Sequence, residues 1–274
     1  MPQRTMTLAL LKLPLPVLGM LVVGFPVLLA AVGLLLVRSR APHPRLQPHH
    51  DVAGYIYSGL AVLYAVLLAF VVIAVWGQFD ATHVRVHKEA DALGDLFREA
   101  QVFPTPVQRA IFDAVRTYAR AVIDEEWPTM ARGAESPTAQ RAYIDLWQTI
   151  RMVEPRTPAE INWHATMLQS LTTMSDGRKD RLADSRAVLP LVLWVVLLSG
   201  GVINVGYTYL FGVRSLAVHL IITTALTAMT ALLLLVILIM DHPFAGRYRV
   251  ESEPFVRLLQ HMDQVVLQAN ERGL

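Results

Sequence analysis

The sequence predicts an all-α membrane protein: four transmembrane helices in two hairpins, with a helical water-soluble domain between them. Three observations predict it. Of 274 residues, 54% are hydrophobic and 17% charged, with a mean hydropathy of +0.43, against about 45–50% apolar and about 25% charged in a typical soluble domain. The excess is concentrated in stretches 14–37, 52–76, 187–213 and 216–240, none of which contains Asp, Glu, Lys or Arg. Each is longer than the roughly 20 apolar residues a bilayer-spanning helix requires. Finally, the domain between the hairpins shows helical periodicity and no period-two alternation of the kind strands carry. The expected organisation is a first hairpin over 1–76, a helical domain over 77–186, a second hairpin over 187–240 and a C-terminal helix over 241–274. These numbers exclude a purely soluble enzyme, collagen, a disordered chain and a disulfide-rich scaffold.

The first run is too long for a secretory h-region and ends in Val37-Arg38-Ser39-Arg40 with no small-x-small cleavage site, so it reads as a retained span. Four spans place both termini and the 77–186 domain on one side of the membrane. That side carries Arg4, Lys12, Arg85, Lys88 and the arginines around 178–186 and 247–249, against Arg38, Arg40, Arg45 and Arg214 opposite. The positive-inside rule therefore makes the termini and domain cytoplasmic.

On the second span, Gly54, Ser58, Ala61, Ala65 and Ala69 fall within about 80° of helical arc. Small residues at this spacing let helix backbones approach closely in lipid, either within one subunit or between copies of the chain. His219, Thr223, Thr227 and Thr230 form a polar stripe on the fourth span. It reads as hydroxyls bonded back to their own helix, as a contact between helices, or as a wetted face. No span carries a carboxylate or a cationic row, so a proton relay or voltage sensor lacks its usual residues.

Past the second span, positions 79, 83, 86, 90, 93, 97 and 100 keep a 4-3 spacing, which predicts one helix continuing from the membrane to about Val102, where Pro104 ends it. Amphipathic helices follow over about 106–126, from Ser136-Pro137, and from the capping box Thr157-Pro158-Ala159-Glu160. The alternating charges from Asp176 to Arg186 read as local ion pairs on an exposed helix. Glu125 and Glu126, adjacent and so pointing apart, read as a helix-end pair beside an interfacial Trp127. The tail over 253–272 is helical in composition.

Chemical motifs are missing. There is no Walker loop, dinucleotide turn, HExxH or nucleophile elbow, and no cysteine, so neither catalytic residues nor a cofactor is expected. His43, His49 and His50 sit in a loop stiffened by Pro42, Pro44 and Pro48, at no ligand spacing, and no metal site is expected there. The net charge of +2 is dispersed, which excludes a nucleic-acid arm. Asp241-His242-Pro243-Phe244 closes the fourth span as a helix terminator with an anchoring ring.

Taken together, Tyr55–Asp80 (YIYSGLAVLYAVLLAFVVIAVWGQFD), Lys88-Glu89-Ala90, Glu125-Glu126-Trp127, the arginine-rich approach to Leu189-Pro190 and the Asp241-His242-Pro243-Phe244 terminus resemble the bacterial bestrophin-like family, over roughly 50–260. The resemblance implies two membrane hairpins around a cytoplasmic helical domain. Its distant relation to the bestrophin channels implies a homo-oligomer, a pentamer by that likeness, in the bacterial inner membrane. Its partners would be its own copies, the lipid bilayer and a permeant inorganic ion. The second span would line a central pore narrowed at Val66, Phe70 and Ile73. The repeated aromatic row of bestrophin pores is reduced here to Phe70. The acidic calcium-binding cluster of animal bestrophins is reduced to Asp241, Glu251 and Glu253. The rival expectation is a non-conducting oligomeric scaffold whose helical domain binds a partner.

Overall fold

The computed structural model describes residues 2–40, 50–211 and 213–271. The loop with Pro42, His43, Pro44, Arg45, Pro48 and His49 lies outside them. All regular structure among the described residues is helical: α1 (Pro2–Leu11), α2 (Leu15–Arg40), α3 (His50–Glu99), α4 (Thr105–Ala121), α5 (Trp127–Met130), α6 (Pro137–Arg151), α7 (Pro158–Asp184), α8 (Leu191–Thr208), α9 (Leu216–Met240) and α10 (Glu253–Glu271). The all-α class predicted from composition holds. Among the described residues four helices are long and apolar enough to cross a membrane: α2, the Gly54–Val102 stretch containing most of α3, α8 and α9.

The chain divides into two compact units, one of residues 1–78 and 188–241, the other of 79–187 and 242–274. In the first, α9 packs along α2 and beside α8. Pro190 caps α8 at its start, because proline fits the entry to a helix but not its interior. The regular helix is therefore shorter than the charge-free run around it. A π turn at Met20–Gly24 interrupts α2. Tyr64, Leu68, Val71 and Val75 of α3 pack against Leu197 and Ile237, and the Tyr64 hydroxyl donates to the Leu197 carbonyl at 2.9 Å. Gly200 makes room for that ring, since a Cβ there would stand 2.7 Å from it. Arg38, at the end of α2, donates to the carbonyls of Val213 and Arg214 at 3.1 and 2.8 Å, fixing the turn between α8 and α9.

In the second unit the 4-3 stripe of α3 buries Val86, Ala90, Leu93 and Phe97, and Ala100 in the 3-10 turn after it. Against it lie Ile111, Val115 and Tyr118 of α4, Leu146 and Ile150 of α6, Met167, Leu171 and Met174 of α7, and Phe255 and Met262 of α10. Ser136 and Thr157 cap α6 and α7, each hydroxyl accepting the backbone N–H three residues on, which satisfies an amide the first helical turn leaves free.

Candidate functional site

Two features hold chemistry-bearing residues together: the outward face of α3 and a buried cluster of charges in the second unit. Helical geometry gives the apolar part of α3 three faces. One, with Tyr64, Leu68, Val71 and Val75, is buried in the chain's own packing. Roughly opposite it at 100° per residue lie Val66, Phe70 and Ile73, all exposed, with Phe70 and Ile73 each 67% exposed. Between these two faces runs the small-residue row, in which Ser58, Ala65 and Ala69 are exposed and Gly54 and Ala61 half-buried. Gly77, at the end of this part of α3, is exposed, and in the second unit Asp80, Val84, Asp91 and Arg98 of α3 are exposed as well.

The polar stripe of α9 is buried. His219 Nε2 lies 2.9 Å from the Thr208 carbonyl, and the Thr208 and Thr223 hydroxyls are 3.2 Å apart, tying α9 to the end of α8. Thr227 donates back to the Thr223 carbonyl at 2.7 Å, and Thr230 is buried one turn on. Asp241 caps α9 and accepts the Leu189 N–H at 2.6 Å and the Trp194 indole N–H. Burial, only partly offset by these bonds, pushes its pKa up to about 6. In the second unit His242 is buried, the Pro243 carbonyl accepts the Val250 N–H at 2.7 Å, and Phe244 packs edge-on against Trp127 at 5.7 Å. Glu253 pairs with Arg257 at 3.2 Å, and Glu251 is exposed. Among the described residues no three His, Cys, Asp or Glu side chains converge as metal ligands.

The exposed-helix reading of 176–186 is overturned. Arg178, Arg181 and Asp184 are buried. Arg181 Nε and Nη2 grip the two oxygens of Glu89 at 2.6 and 2.9 Å, and Nη2 also reaches Glu126 at 2.8 Å. Arg178 Nη2 donates to the other Glu126 oxygen at 2.6 Å, and its Nη1 to Gln140 at 2.8 Å. The Tyr118 hydroxyl donates to Glu89 at 2.7 Å. Trp127 and Phe255 lie 5.1 and 5.8 Å from the Arg181 guanidinium carbon. Two carboxylates thus balance two guanidiniums. The partners come from α3, α7 and the π turn Val122–Glu126, so they join distant segments instead of neighbours on one helix. A charge this deep is tolerated only when paired and hydrogen-bonded.

Burial taken alone would lower the pKa of Arg181, but the Glu89 carboxylate, by charge and hydrogen bond, and Tyr118 and Glu126 behind it drive it up instead. Burial, then the Glu89 charge, hold the Tyr118 phenol well above its ordinary range, so it stays a donor. Trp127 is likewise buried, not interfacial, its indole N–H donating to the Val250 carbonyl at 3.0 Å, while Glu126 is fully buried and Glu125 exposed. A related pairing joins Asp184 to Thr82 at 2.9 Å and Arg85 at 2.8 Å. Sequence reasoning missed this cluster, although the signal was present: the core stripe Met167, Leu171, Met174 continues at the same 4-3 spacing into Arg178 and Arg181.

A family model described as Bestrophin-like domain matches residues 24–255. No curated protein sequence matches the chain. Among solved structures, a bacterial bestrophin homologue from Klebsiella pneumoniae, solved by zinc phasing, superposes with a TM-score of 0.63 at 14% identity, covering 87% of this chain and 97% of that one. Two point mutants of the Klebsiella pneumoniae homologue superpose with TM-scores of 0.65 and 0.64 at 14% and 13% identity, covering 88% and 89% of this chain and 98% and 99% of theirs. At these identities the likeness is one of fold, and the match over most of the sequence carries the assignment: the chain belongs to the bestrophin-like family.

Proposed function

We propose that the protein is a homo-oligomeric ion channel of the bacterial inner membrane, with its termini cytoplasmic and α3 surrounding the central axis. The pentamer is the stoichiometry the family likeness favours. One observation supports the reading: within its own chain the apolar part of α3 buries the Tyr64 face, while the Phe70 face and Ser58, Ala65 and Ala69 of the small-residue row stay exposed. Gly54, Ser58, Ala61, Ala65 and Ala69 then pack against the neighbouring copy, where small side chains allow close approach. Val66, Phe70 and Ile73 point to the axis and form an apolar constriction that gates by dewetting. The charged continuation through Asp80, Asp91 and Arg98 meets the hydrated ion beyond it. The buried Glu89–Arg181–Glu126–Arg178 cluster fixes the helices that hold α3, and takes no part in conduction.

The test is conductance of the purified chain in planar bilayers, with Phe70→Ala as the probe, together with particle images along the membrane normal. The reading expects a ring with a central opening, and larger or less rectified currents in the variant. Unchanged currents in Phe70→Ala overturn the gate. A ring that conducts nothing overturns the channel and leaves an oligomeric scaffold for a cytoplasmic partner.

A further inference from the structure

A cavity of about 530 Å³ lies in the first unit among α2, α8 and α9. Its wall on α8 and the residue capping it is a single helical stripe from Trp194 through Val202 and Gly206 to Tyr209, 15 helical steps and so about 22 Å. Phe25 of α2 and Leu234 of α9 stand across from it. The lining is apolar almost throughout. Of the polar side chains on its wall, the Thr227 hydroxyl is spent on the Thr223 carbonyl and the Trp194 indole on Asp241. So apolar a lining gives water few partners and suits a hydrocarbon chain. It is open sideways, as Phe25 and Val202 at its rim are 58% and 72% exposed, and all three helices are among those apolar enough to lie in a bilayer. Gly206 faces its open space, since a Cβ there would meet nothing within 4 Å.

One end of the groove is charged. Tyr209 lies directly over Gly33 of α2, where an added Cβ would come within 2.8 Å of its hydroxyl. Five residues further along each chain segment stand Arg38 and Arg214, joined because the Arg38 guanidinium donates to the Val213 and Arg214 carbonyls. Arg40 and Arg214 are exposed beside it, and the stretches 38–51 and 214–215 hold four arginines against a single acid, Asp51. An elongated hydrocarbon slot ending at a cationic group at the edge of the membrane-spanning helices matches one chemistry, that of an anionic phospholipid. We infer that the groove seats one acyl chain of such a lipid, with its phosphate held by Arg38, Arg40 and Arg214. This site does not depend on conduction, since it uses α2, α8 and α9 and no residue of the α3 outward face.

The test uses the full chain in nanodiscs containing a phosphatidylglycerol with a photoactivatable diazirine in its acyl tail, with the matching phosphatidylcholine as control. Cross-links mapped by mass spectrometry are expected to concentrate on Leu198, Val202 and Leu234, several-fold above lipid-exposed Val192 and Ile221. Gly206→Phe, which fills the slot from a position with room to spare, should remove that excess. Arg40→Gln with Arg214→Gln should abolish the preference for phosphatidylglycerol while the protein stays folded. Uniform labelling of groove and lipid-exposed positions, insensitive to Gly206→Phe, overturns the site and leaves annular lipid. Protection of the groove with chain-to-chain cross-links instead assigns it to a second copy. Equal labelling by the two lipids overturns the arginine headgroup site.

Discussion

Arg181 and Glu89, 92 residues apart in sequence, share two hydrogen bonds of 2.6 and 2.9 Å with neither side chain exposed to solvent. The pair matters less for the energy it adds than for what its loss would leave behind. Removing one member strands an uncompensated buried charge, at about 3–5 kcal/mol, whereas replacing a whole buried set by apolar groups of similar size is often neutral or favourable.

Glu89→Gln and Arg181→Met are therefore each expected to cost about 3–5 kcal/mol, read as a drop in unfolding midpoint in detergent. Because Arg181 also reaches Glu126, the double variant should lose clearly less than the two single losses added together. Strict additivity would show that the two side chains do not depend on each other.

Gly177 sits where α7 crosses α3, and a Cβ there would lie 2.9 Å from Glu89 Cβ and 3.2 Å from its Cα. Backbone atoms cannot retreat as a flexible side chain can, so Gly177→Ala should destabilise the protein by about 1–3 kcal/mol. This outweighs the roughly 0.5–1 kcal/mol that alanine gains over glycine inside a helix. Chemical denaturation of the variant measures the sign directly, and a stabilised variant would contradict the close crossing.

Asp241 gives stability a defined pH dependence. Folding raises its pKa from near 3.8 to about 6, so between those values the folded state binds more protons than the unfolded state. Stability then rises as pH falls through about 6, and is flat above it. Glu99, which burial also pushes up against its bond from Ser170, contributes in the same sense. The measurement is thus the difference between the wild type and Asp241→Asn in unfolding midpoint from pH 7 to pH 5. The variant, whose amide oxygen still accepts the Leu189 N–H, should gain less on acidification.

The small-residue row and the Phe70 face should separate under mutation. Ala65→Leu places a branched side chain on the face proposed to meet the neighbouring copy, and should dissociate the oligomer in light scattering or native mass spectrometry. Phe70→Ala should leave the oligomer intact. Dissociation by Phe70→Ala with a tolerated Ala65→Leu would reverse the two roles.

The membrane helices were legible because lipid forces the issue. With no water to satisfy backbone groups, a spanning segment must be a charge-free helix of sufficient length, and that length and composition are written in the sequence. The end of α3 was legible for a similar local reason, Pro104 standing just beyond it. The regular ends of α8 were less so, because a charge-free run marks what lipid tolerates and not where Pro190 lets a helix begin. The buried charges were misread, since Asp176 to Arg186 has the composition of an exposed helix. Only the continuing 4-3 stripe hinted that two of its arginines face inward.

The sequence alone thus determined the all-α class, the four membrane helices, the capped helices of the second unit and the family to which they belong. These follow from local rules of length, period and capping that each segment obeys by itself. Tertiary structure alone decided which charges are buried, which face of α3 is spent on internal packing and which is left open, and that Gly206 faces a hollow. Each depends on partners tens of residues away: a guanidinium enters a core only when carboxylates already wait there, and a face stays open only when no neighbouring helix has covered it.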